Sequence, residues 1–314
     1  MRILFAGSPA IAVPALKSIA ALSGGGIELA ALLTRADSPR GRGGKPEPTD
    51  CALAARHLSA IPVLKPEKLD SAARGQVAAL KTDFLVSFAY GKIFGPQFLA
   101  LFPLGGVNIH PSLLPKYRGP TPIPAAILNR ETVTGITIQH LAAEVDSGDI
   151  LLQETVPLNG RETTASLNEI MAEKAAELLP AALGSIANGD LRAQPQDHRA
   201  ATYCSLVNKG DGLIDWNRSA VEIDARIRAF DPWPLSWTMH GDLQLFILQA
   251  EALEAGGESP SPGRVLGKDK EKGILIQTGE GILAVNRLQY QTKKALEWKN
   301  FLNGARNFLE AKLG

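Results

Sequence analysis

The chain has 314 residues, of which 45% are hydrophobic and 21% are charged, and its formal net charge is +1. Its length and composition predict a globular protein of one large or two medium domains. The near-neutral charge excludes a protein that coats nucleic acid indiscriminately, so any such contact has to come from a local basic patch. Cys51 and Cys204 have no metal-binding spacing, and no apolar run is long enough for a signal peptide or a membrane span. We therefore expect a cytoplasmic protein without a bound metal.

Short apolar runs alternate with amphipathic stretches through the first half of the chain. Buried strands are predicted around residue 63 and at residues 2–7, 27–34, 83–91 and 105–110. This alternation predicts an α/β fold with a Rossmann-like, mostly parallel sheet and helices on both of its faces. Ligands of such sheets bind beyond the carboxyl ends of the strands.

The rest of the chain adds two strands, a long helix and a second domain. Runs at residues 135–141 and 149–158 are rich in β-forming residues and precede a long helix, for which Thr164 is the expected N-cap. Farther on, short strands recur between Gly-rich turns, which predicts a small antiparallel β-barrel of OB type. We therefore divide the chain into a catalytic domain at residues 1–190, a linker at 191–207 and a C-terminal β-barrel domain at 208–314.

The segment GGVNIHPSLLPKYRG places Asn108 and His110 two residues apart at the end of a predicted strand. Residues two apart on a strand point to the same face, so these side chains project together. An asparagine amide can donate to a developing oxyanion, and histidine is the commonest general acid or base near neutral pH. Taken alone, such a pair more often hydrogen-bonds loop backbone at a strand end.

An acidic turn, EVDSGDIL, connects two of the predicted strands. One of its carboxylates, from Asp146 or Asp149, is suited to orient His110 and to stabilise its protonated form. The turn has a simpler explanation, because Asp and Gly are also common turn-forming residues. The combination of NIH, PSLLPKYRG and DSGDIL in this order favours the catalytic interpretation.

In this combination the sequence resembles the formyltetrahydrofolate-dependent formyltransferases. The resemblance spans nearly the whole chain and includes FAGSP, TRADSPRGRGGK, VSFAYGKI, VNIHPSLLPKYRG, TGITI, VDSGDIL, IDWNRSA and IRAFDPWPLSW. RGRGGK and AFDPWP, in this order, are similar to the family members that act on initiator tRNA. The resemblance implies formyl transfer from the co-substrate 10-formyltetrahydrofolate to the α-amino group of methionine on initiator tRNA, for translation initiation, without a metal.

By the same resemblance, Asn108, His110 and Asp146 form the catalytic set. Asn108 and a protonated His110 would stabilise the oxyanion of a tetrahedral intermediate, with about 3 kcal/mol from each well-placed donor. A proton also has to leave the amine and reach the folate nitrogen, either through His110 or through a water held by Asp146.

Two segments resemble the folate-contacting residues of the family. In SLLP, prolines are expected to interrupt regular structure and leave backbone N–H and C=O groups available to the folate. SFAYG is expected to form the other wall of the pterin pocket. A well-packed junction between strand and loop is the alternative for both. The folate-binding residues inferred in this way are Ser112, Leu113, Leu114, Pro115, Phe88, Ala89, Tyr90 and Gly91.

The segment RADSPRGRGGKPEP is basic and rich in glycine and proline. By itself it is best explained as a solvated surface loop. The resemblance favours contact with phosphates of the tRNA acceptor arm, through Arg40, Arg42 and Lys45, with ordering of the loop on binding. The C-terminal domain is also assigned to tRNA binding, although its acidic and basic residues are balanced, and neither DNA nor a membrane is an expected partner.

Two alternatives compete with initiator tRNA formylation. Relatives with the same catalytic residue types act on amino-sugar nucleotides or purine precursors, so formyl transfer to another small amine is the runner-up. A catalytically silent RNA-binding protein is the alternative from a different class, and the retention of all three residue types argues against it. The segment RGPTPIP departs from the usual RGAAPIQ of the family at Pro120, Thr121 and Pro124, which leaves substrate contacts there unpredicted.

Overall fold

The computed structural model describes residues 1–22, 26–39, 44–58, 61–254, 261–305 and 307–314. They divide into two compact units. The first unit consists of Met1–Pro122, Val133–Pro157 and Asn168–Ser205, and the second of Ile123–Thr132, Leu158–Leu167 and Leu206–Gly314. None of the helices in these ranges has the length and apolar composition of a transmembrane segment.

The first unit is built on a seven-stranded sheet. Its strands, with a separate pair β3–β4, are β1 (Arg2–Gly7), β2 (Glu28–Leu33), β3 (Ser38–Pro39), β4 (Pro46–Glu47), β5 (Val63–Leu64), β6 (Phe84–Phe88), β7 (Gly106–His110), β8 (Val133–His140) and β9 (Ile150–Pro157). The order in the sheet is β5-β2-β1-β6-β7-β8-β9. The first five strands in this order, β5, β2, β1, β6 and β7, are parallel to one another. Strand β8 is antiparallel to both of its neighbours, β7 and β9. The predicted mostly parallel, Rossmann-like sheet is confirmed.

Helices cover the strands of this sheet, and the burial of β1 shows the effect. Ile3, Leu4, Phe5 and Ala6 are each 0% exposed, and such consecutive burial is typical of a parallel strand covered on both faces. The edge strand β9 instead buries only two of its eight residues, Leu151 and Val156. The helices up to residue 188 are α1 (Val13–Ala21), α2 (Asp50–Ala55), α3 (Ser71–Ala79), α4 (Pro96–Leu99), α5 (Pro122–Leu128) and α6 (Thr164–Asn188).

The N-cap of helix α6 is Thr163 and not Thr164. The side-chain oxygen of Thr163 accepts a hydrogen bond from the backbone N–H of Ser166 at 3.2 Å, which is the N-cap interaction. Thr164 is the first helical residue, and its hydroxyl donates to the backbone oxygen of Ala229 at 2.6 Å. The prediction of Thr164 as the cap is therefore wrong by one residue, because adjacent threonines offer the same chemistry.

Residues 191–205 form hydrogen bonds within the first unit. Gln194 and Ile150 exchange two backbone hydrogen bonds, each of 2.8 Å. The backbone N–H of Arg118 donates to Thr202 O at 2.9 Å, and Cys204 N–H donates to Arg118 O at 2.9 Å. This part of the chain thus extends along β9 and along the loop that follows β7.

The C-terminal part of the chain forms an antiparallel sheet with two helices. Its elements are α7 (Ala220–Ala229), β10 (Ser236–His240), β11 (Leu243–Leu253), β12 (Val265–Asp269), β13 (Gly273–Gln277), β14 (Ile282–Tyr290), β15 (Leu296–Glu297) and α8 (Trp298–Gly304). The sheet order is β10-β11-β14-β13-β12, with β15 paired to β14. The antiparallel C-terminal domain is confirmed, but in the described part of the chain no pairing of β10 with β12 closes the sheet into a barrel.

Helix α7 begins with a capping box. Ser219 Oγ accepts the backbone N–H of Glu222 at 3.3 Å, and Glu222 Oε2 accepts the backbone N–H of Ser219 at 3.0 Å. The bond from the Ser219 N–H, together with one from the Ser219 hydroxyl to Glu222 Oε2 at 2.9 Å, lowers the pKa of Glu222. The reciprocal pair satisfies two donors that the helix start would otherwise leave without partners.

Candidate active site

Asn108 and His110 on β7 face two polar residues of the neighbouring strand β8. The register of the two strands sets Asn108 opposite Gln139 and His110 opposite Thr137. Directly opposed residues of an antiparallel pair share one face of the sheet, so the four side chains form a single polar group. His110 is 4% exposed and Gln139 is 1% exposed. Thr137 is fully buried as well, whereas Asn108 is half-buried. Most of the group therefore lies below the surface, where hydrogen bonds are stronger than in water.

Asp146 lies between β8 and β9, and its backbone adopts the left-handed conformation at φ 54°. Its Oδ1 accepts hydrogen bonds from Asn108 Nδ2 at 3.2 Å and from Gln139 Nε2 at 3.0 Å. Its Oδ2 accepts the backbone N–H of Gly119 at 2.8 Å. Three N–H groups thus converge on one side chain, and a carboxylate has lone pairs for all of them. The arrangement fixes both oxygens of Asp146.

The imidazole of His110 is held at Nε2, which lies 2.8 Å from the backbone oxygen of Tyr117. A carbonyl oxygen only accepts hydrogen bonds, so Nε2 carries a hydrogen. The other ring nitrogen, Nδ1, lies 3.6 Å from Asp146 Oδ2. Nδ1 is therefore the atom that can take up and release a proton, and a positive charge on the ring would lie beside the Asp146 carboxylate.

Two glycines allow the backbone to pass close to Asp146. A Cβ atom added to Gly148 would clash with the backbone oxygen of His140, and one added to Gly119 would clash with that of Cys204. Gly119 also has φ of +112°, which side-chain-bearing residues rarely adopt. A side chain at either position would displace the backbone that holds Asp146.

Thr121, one of the departures from the family pattern, contacts residues 204 and 205. Its N–H donates to Cys204 Sγ at 3.3 Å, and its hydroxyl donates to Ser205 O at 2.7 Å. Burial raises the pKa of the Cys204 thiol, the hydrogen bonds from Thr121 lower it, and the charge of Asp146 raises it further. The net effect is a raised pKa, so this thiol is neutral near pH 7 and adds no charge to the site.

The backbone of residues 112–115 is occupied by hydrogen bonds within the first unit. Ser112 O accepts from Thr137 Oγ1 at 2.6 Å, and Leu114 O accepts from Gln153 Nε2 at 3.0 Å. Leu114 N–H donates to Thr137 Oγ1 at 3.3 Å. The expectation that backbone groups of this segment stay available to a ligand is wrong for these three, because polar side chains of β8 and β9 already bind them. The segment is a rigid wall rather than an open set of donors and acceptors.

Residues 88–91 form a turn at the end of β6, and this turn is strained. Ala89 and Gly91 are exposed, with φ of 50° and 86°, and a positive φ is unfavourable for alanine. The hydroxyl of Ser8 donates to Tyr90 O at 3.2 Å and holds the turn in place. Tyr90 Oη is buried and has no hydrogen-bond partner among the described residues. Burial raises the pKa of Tyr90 to about 12, against a lowering by nearby Arg35.

The basic segment predicted to contact tRNA is described only in part. Arg40 and Arg42 lie outside the described residues. Lys45 is exposed and directly precedes β4. Asp37, the one acid between Arg35 and Lys45, forms an ion pair with Lys65 at 2.5 Å. Its charge is therefore balanced by a cation from outside the segment.

The polar partners of Asn108, His110 and Asp146 were not predicted from the sequence. Thr137 and Gln139 alternate with two buried isoleucines along β8, and two polar residues on one face of an apolar strand were a usable signal. Gln196 carried no such signal. It lies 50 residues from Asp146 in sequence, within the predicted linker, yet its Nε2 donates to Asp146 O at 3.0 Å.

Comparison with protein families assigns both parts of the chain. Residues 1–183 match the family described as formyl transferase, and residues 206–306 match the formyl transferase C-terminal domain. The chain belongs to the formyl transferase family. The resemblance inferred from the sequence motifs is thereby confirmed, and it covers both the Rossmann-like sheet and the C-terminal antiparallel sheet.

Several relatives of this formyl transferase are similar along their full lengths. A methionyl-tRNA formyltransferase of Treponema denticola is 50% identical over 99% of this chain and 98% of its own. The enzyme of that name from Treponema pallidum is 42% identical over 100% of this chain and 99% of its own. Its counterpart in a Roseiflexus species is 41% identical over 98% of this chain and 93% of its own.

Solved structures share the fold of this formyl transferase at low sequence identity. An N-formyltransferase from Helicobacter canadensis, in complex with folinic acid and dTDP-3-aminofucose, has a TM-score of 0.65 and 21% identity over 90% of this chain and 98% of its own. HypX from Aquifex aeolicus, in complex with tetrahydrofolic acid, has a TM-score of 0.62 and 19% identity. That match covers 98% of this chain and 47% of HypX, so the chain spans about half the length of HypX. These likenesses support the fold class alone.

Proposed function

We propose that this formyl transferase moves a formyl group from 10-formyltetrahydrofolate to the α-amino group of methionine on initiator tRNA. The assignment of the substrate is supported by the 50% identity to a methionyl-tRNA formyltransferase along 99% of the chain. The chemistry is supported by the convergence of Asn108, His110 and Asp146 beside the end of β7. A tRNA used to start translation also makes the cytoplasm the expected place of action.

Asn108 is the donor placed for the oxyanion. Its Nδ2 carries two hydrogens, and one of them bonds Asp146 Oδ1 at 3.2 Å. The second hydrogen points in a different direction and can bond the formyl oxygen as negative charge develops there. Because Asp146 fixes the amide before the reaction begins, the donor needs no reorganisation, and it should contribute about 3 kcal/mol.

His110 Nδ1 is the atom that we assign to proton transfer. When bound, the folate supplies the formyl carbon that the neutral amine attacks, and its own nitrogen leaves. His110 Nδ1 can accept the proton that the amine loses, because Nε2 is committed to Tyr117 O. Asp146 lies 3.6 Å away and stabilises the resulting imidazolium. The same Nδ1 can then donate that proton to the departing folate nitrogen, so the transfer needs no other acid or base.

The turn at residues 88–91 and the segment at residues 112–115 fit the walls of a folate pocket. They follow β6 and β7, which are neighbouring parallel strands, so both border the same edge of the sheet. The strained Ala89 and the buried hydroxyl of Tyr90, which has no partner in the described residues, are features that structures retain at functional sites.

The cations of the basic segment are assigned to the tRNA. Lys45 is exposed, and we propose that it acts with Arg40 and Arg42 on phosphates of the acceptor arm. Residues 208–314 are proposed to contribute a second tRNA contact. Localised contacts of this kind suit a chain whose net charge is only +1, because bulk attraction cannot supply the affinity.

One assay tests both substrates. Formyl transfer from 10-formyltetrahydrofolate is measured to charged initiator methionyl-tRNA, to free methionine and to an amino-sugar nucleotide. We expect kcat/KM for the tRNA to exceed the other values by at least ~100-fold, since the tRNA adds binding energy that a small amine lacks. Turnover confined to a non-tRNA amine would overturn the proposal that methionyl-tRNA is the formyl acceptor. Folate binding without transfer to any amine would overturn the reaction.

A further inference from the structure

Arg118 is a buried cation that has no counterion among the described residues. It is 2% exposed, and no described carboxylate forms an ion pair with it. Its guanidinium donates to neutral groups instead: to Gln196 Oε1 from Nε at 3.2 Å and from Nη2 at 2.7 Å, to His198 Nδ1 at 3.0 Å and to Tyr203 Oη at 3.4 Å. A buried charge in neutral surroundings costs free energy. Its presence therefore calls for a reason other than stability.

The guanidinium fixes the direction of a chain of amide hydrogen bonds. Because arginine only donates, Gln196 must turn its oxygen toward Arg118 and its Nε2 away from it. That Nε2 donates to Gln139 Oε1 at 3.2 Å. With its oxygen used in this way, Gln139 presents its own Nε2 to Asp146 Oδ1 at 3.0 Å. Each amide oxygen therefore accepts on the side of Arg118, which only donates. Each amide nitrogen donates on the side of the Asp146 carboxylate, which only accepts.

The same chain also holds the backbone of the acidic turn. Gln196 Nε2 also lies 3.0 Å from Asp146 O and 2.6 Å from Gly148 O, so its two hydrogens are shared among three acceptors. Asp146 is in a left-handed conformation at φ 54°, which is unfavourable unless its surroundings impose it. Gln196 thus contacts the main chain of Asp146, and Gln139 contacts its side chain. Both contacts depend on the orientation that Arg118 gives to Gln196.

We propose that Arg118, acting through Gln196 and Gln139, is a positioning residue for Asp146. It does not touch the reacting atoms. It selects the amide orientation in which two glutamines donate toward Asp146, and so it keeps Oδ2 directed at His110 Nδ1. The role of Asp146 in this inference rests on the proposed formyl transfer.

Gln196→Glu separates positioning from folding. The glutamate has the same shape and can pair with Arg118, so the protein should fold, but it cannot donate to Gln139, Asp146 or Gly148. We expect kcat for formyl transfer to fall at least ~10-fold, as for other small displacements of catalytic groups. KM for tRNA and the Kd for the folate should stay within about 2-fold of wild type. Wild-type kcat in a folded Gln196→Glu protein would overturn the proposal.

A variant pair tests whether Arg118 acts through Gln196. Gln196→Met removes the amide, and Arg118→Met with Gln196→Met replaces both partners by apolar side chains of similar length, which buried sites often tolerate. If Arg118 works only through Gln196, the double variant has the same kcat as Gln196→Met alone. A further loss of at least ~10-fold in a double variant that is folded by circular dichroism would overturn this route.

Arg118→Lys gives a graded readout. Lysine keeps the charge and donates as well, but it lacks the planar fork that reaches several acceptors at once. We expect its kcat to lie between those of wild type and Arg118→Met, with KM unchanged. Losses that follow only the folded fraction of each variant would overturn a positioning role. Wild-type enzyme is assayed in parallel with every variant. If the wild type formylates no amine, the result contradicts the proposed function and not this inference.

Discussion

His110 donates through Nε2 to the backbone oxygen of Tyr117 at 2.8 Å, and this bond determines which ring nitrogen is left for chemistry. Tyr117 belongs to the irregular segment that follows β7, and its own backbone has φ of 60°. The segment therefore presents a carbonyl group to the histidine and holds the ring in one orientation. As a result Nδ1 faces Asp146 at 3.6 Å, without a second carboxylate to orient the ring.

His110→Ala should lower kcat for formyl transfer by at least ~100-fold, because the variant loses both the proton acceptor and a charge that stabilises the oxyanion. Steady-state kinetics with initiator methionyl-tRNA measures the effect. His57→Ala is the matched control, since His57 is exposed and has no place in the site. Similar rates for the two variants would show that His110 is not catalytic.

Asp146→Asn should also lower kcat by at least ~100-fold. Asparagine tolerates the left-handed backbone of this position, so the loop should keep its shape. Both oxygens of Asp146 accept hydrogen bonds from N–H groups in the wild-type protein. The NH2 group of asparagine cannot accept them, so at least one buried donor would lose its partner. Asp149→Asn, in the same turn but with an exposed side chain, should leave kcat unchanged. Equal effects from both substitutions would argue for a loss of loop structure rather than of catalysis.

Gly148→Ala should reduce kcat by at least ~10-fold through the main chain of the acidic turn, since misplacement of a catalytic group is costly. An added methyl group would clash with the backbone oxygen of His140. The control is Gly75→Ala in helix α3, where an added Cβ has no neighbour within 4 Å. That change should raise the free energy of unfolding by about 0.5–1 kcal/mol. Kinetics together with urea unfolding would distinguish the two, and full activity of Gly148→Ala would contradict the tight fit at this turn.

Glu222→Gln should weaken the start of helix α7 in a pH-dependent way. Hydrogen bonds from Ser219 lower the pKa of Glu222 below its ordinary value of 4.5. The stabilisation is therefore present above that value and is lost as the pH falls through the lowered pKa. We expect the variant to be less stable than wild type at pH 7, by under ~1 kcal/mol because the side chain is partly exposed.

The difference in stability between Glu222→Gln and wild type should shrink at pH 4, as measured by urea unfolding. Glu169→Gln, an exposed position in helix α6, serves as the control, and no change in stability is expected from it. A Glu222→Gln effect that grows on acidification would contradict the sign of the shift.

Arg42→Ala and Lys45→Ala should each raise KM for initiator tRNA and leave the Kd for the folate unchanged. If each cation contacts a phosphate, its loss should reduce the slope of log(kcat/KM) against log(salt) by about 1. Lys17→Ala on helix α1, an exposed cation of the first unit, is the control for a general change in charge. A weaker folate Kd in the Arg42 variant would assign the segment to the other substrate.

The order of elements could be predicted in part because strands such as β1 and β2 are uninterrupted apolar runs after their first residue. Strand β1 (Arg2–Gly7) was predicted with the observed bounds, since a strand buried on both faces contrasts with the loops at either end. Strand β10 was missed because its residues follow a Pro-rich stretch and lack an apolar run. The absence of barrel closure among the described strands depends on contacts far apart in sequence, which local patterns do not encode.

The proximity of Asn108 and His110 could be predicted because the two residues share a strand and a motif, whereas the residues that support them share neither. Thr137 and Gln153 bind the backbone of residues 112–115 from two other strands, and this contradicted the expected open backbone. Gln196 reaches the site from a segment without regular structure. Such contacts join residues that are far apart in sequence, so no single stretch of sequence predicts them.

The hydrogen bonds of residues 194–204 also bear on how the protein can be divided. Gln194 pairs with Ile150, Thr202 and Cys204 pair with Arg118, and Gln196 binds Asp146. A recombinant fragment that stopped at residue 190 would keep the whole seven-stranded sheet but lose every one of these contacts. A fragment that retains the contacts to the acidic turn therefore has to include Gln196, and one that also retains the contacts to Arg118 has to reach Cys204. A protease that cuts within this stretch should abolish activity while leaving the strands of the sheets intact.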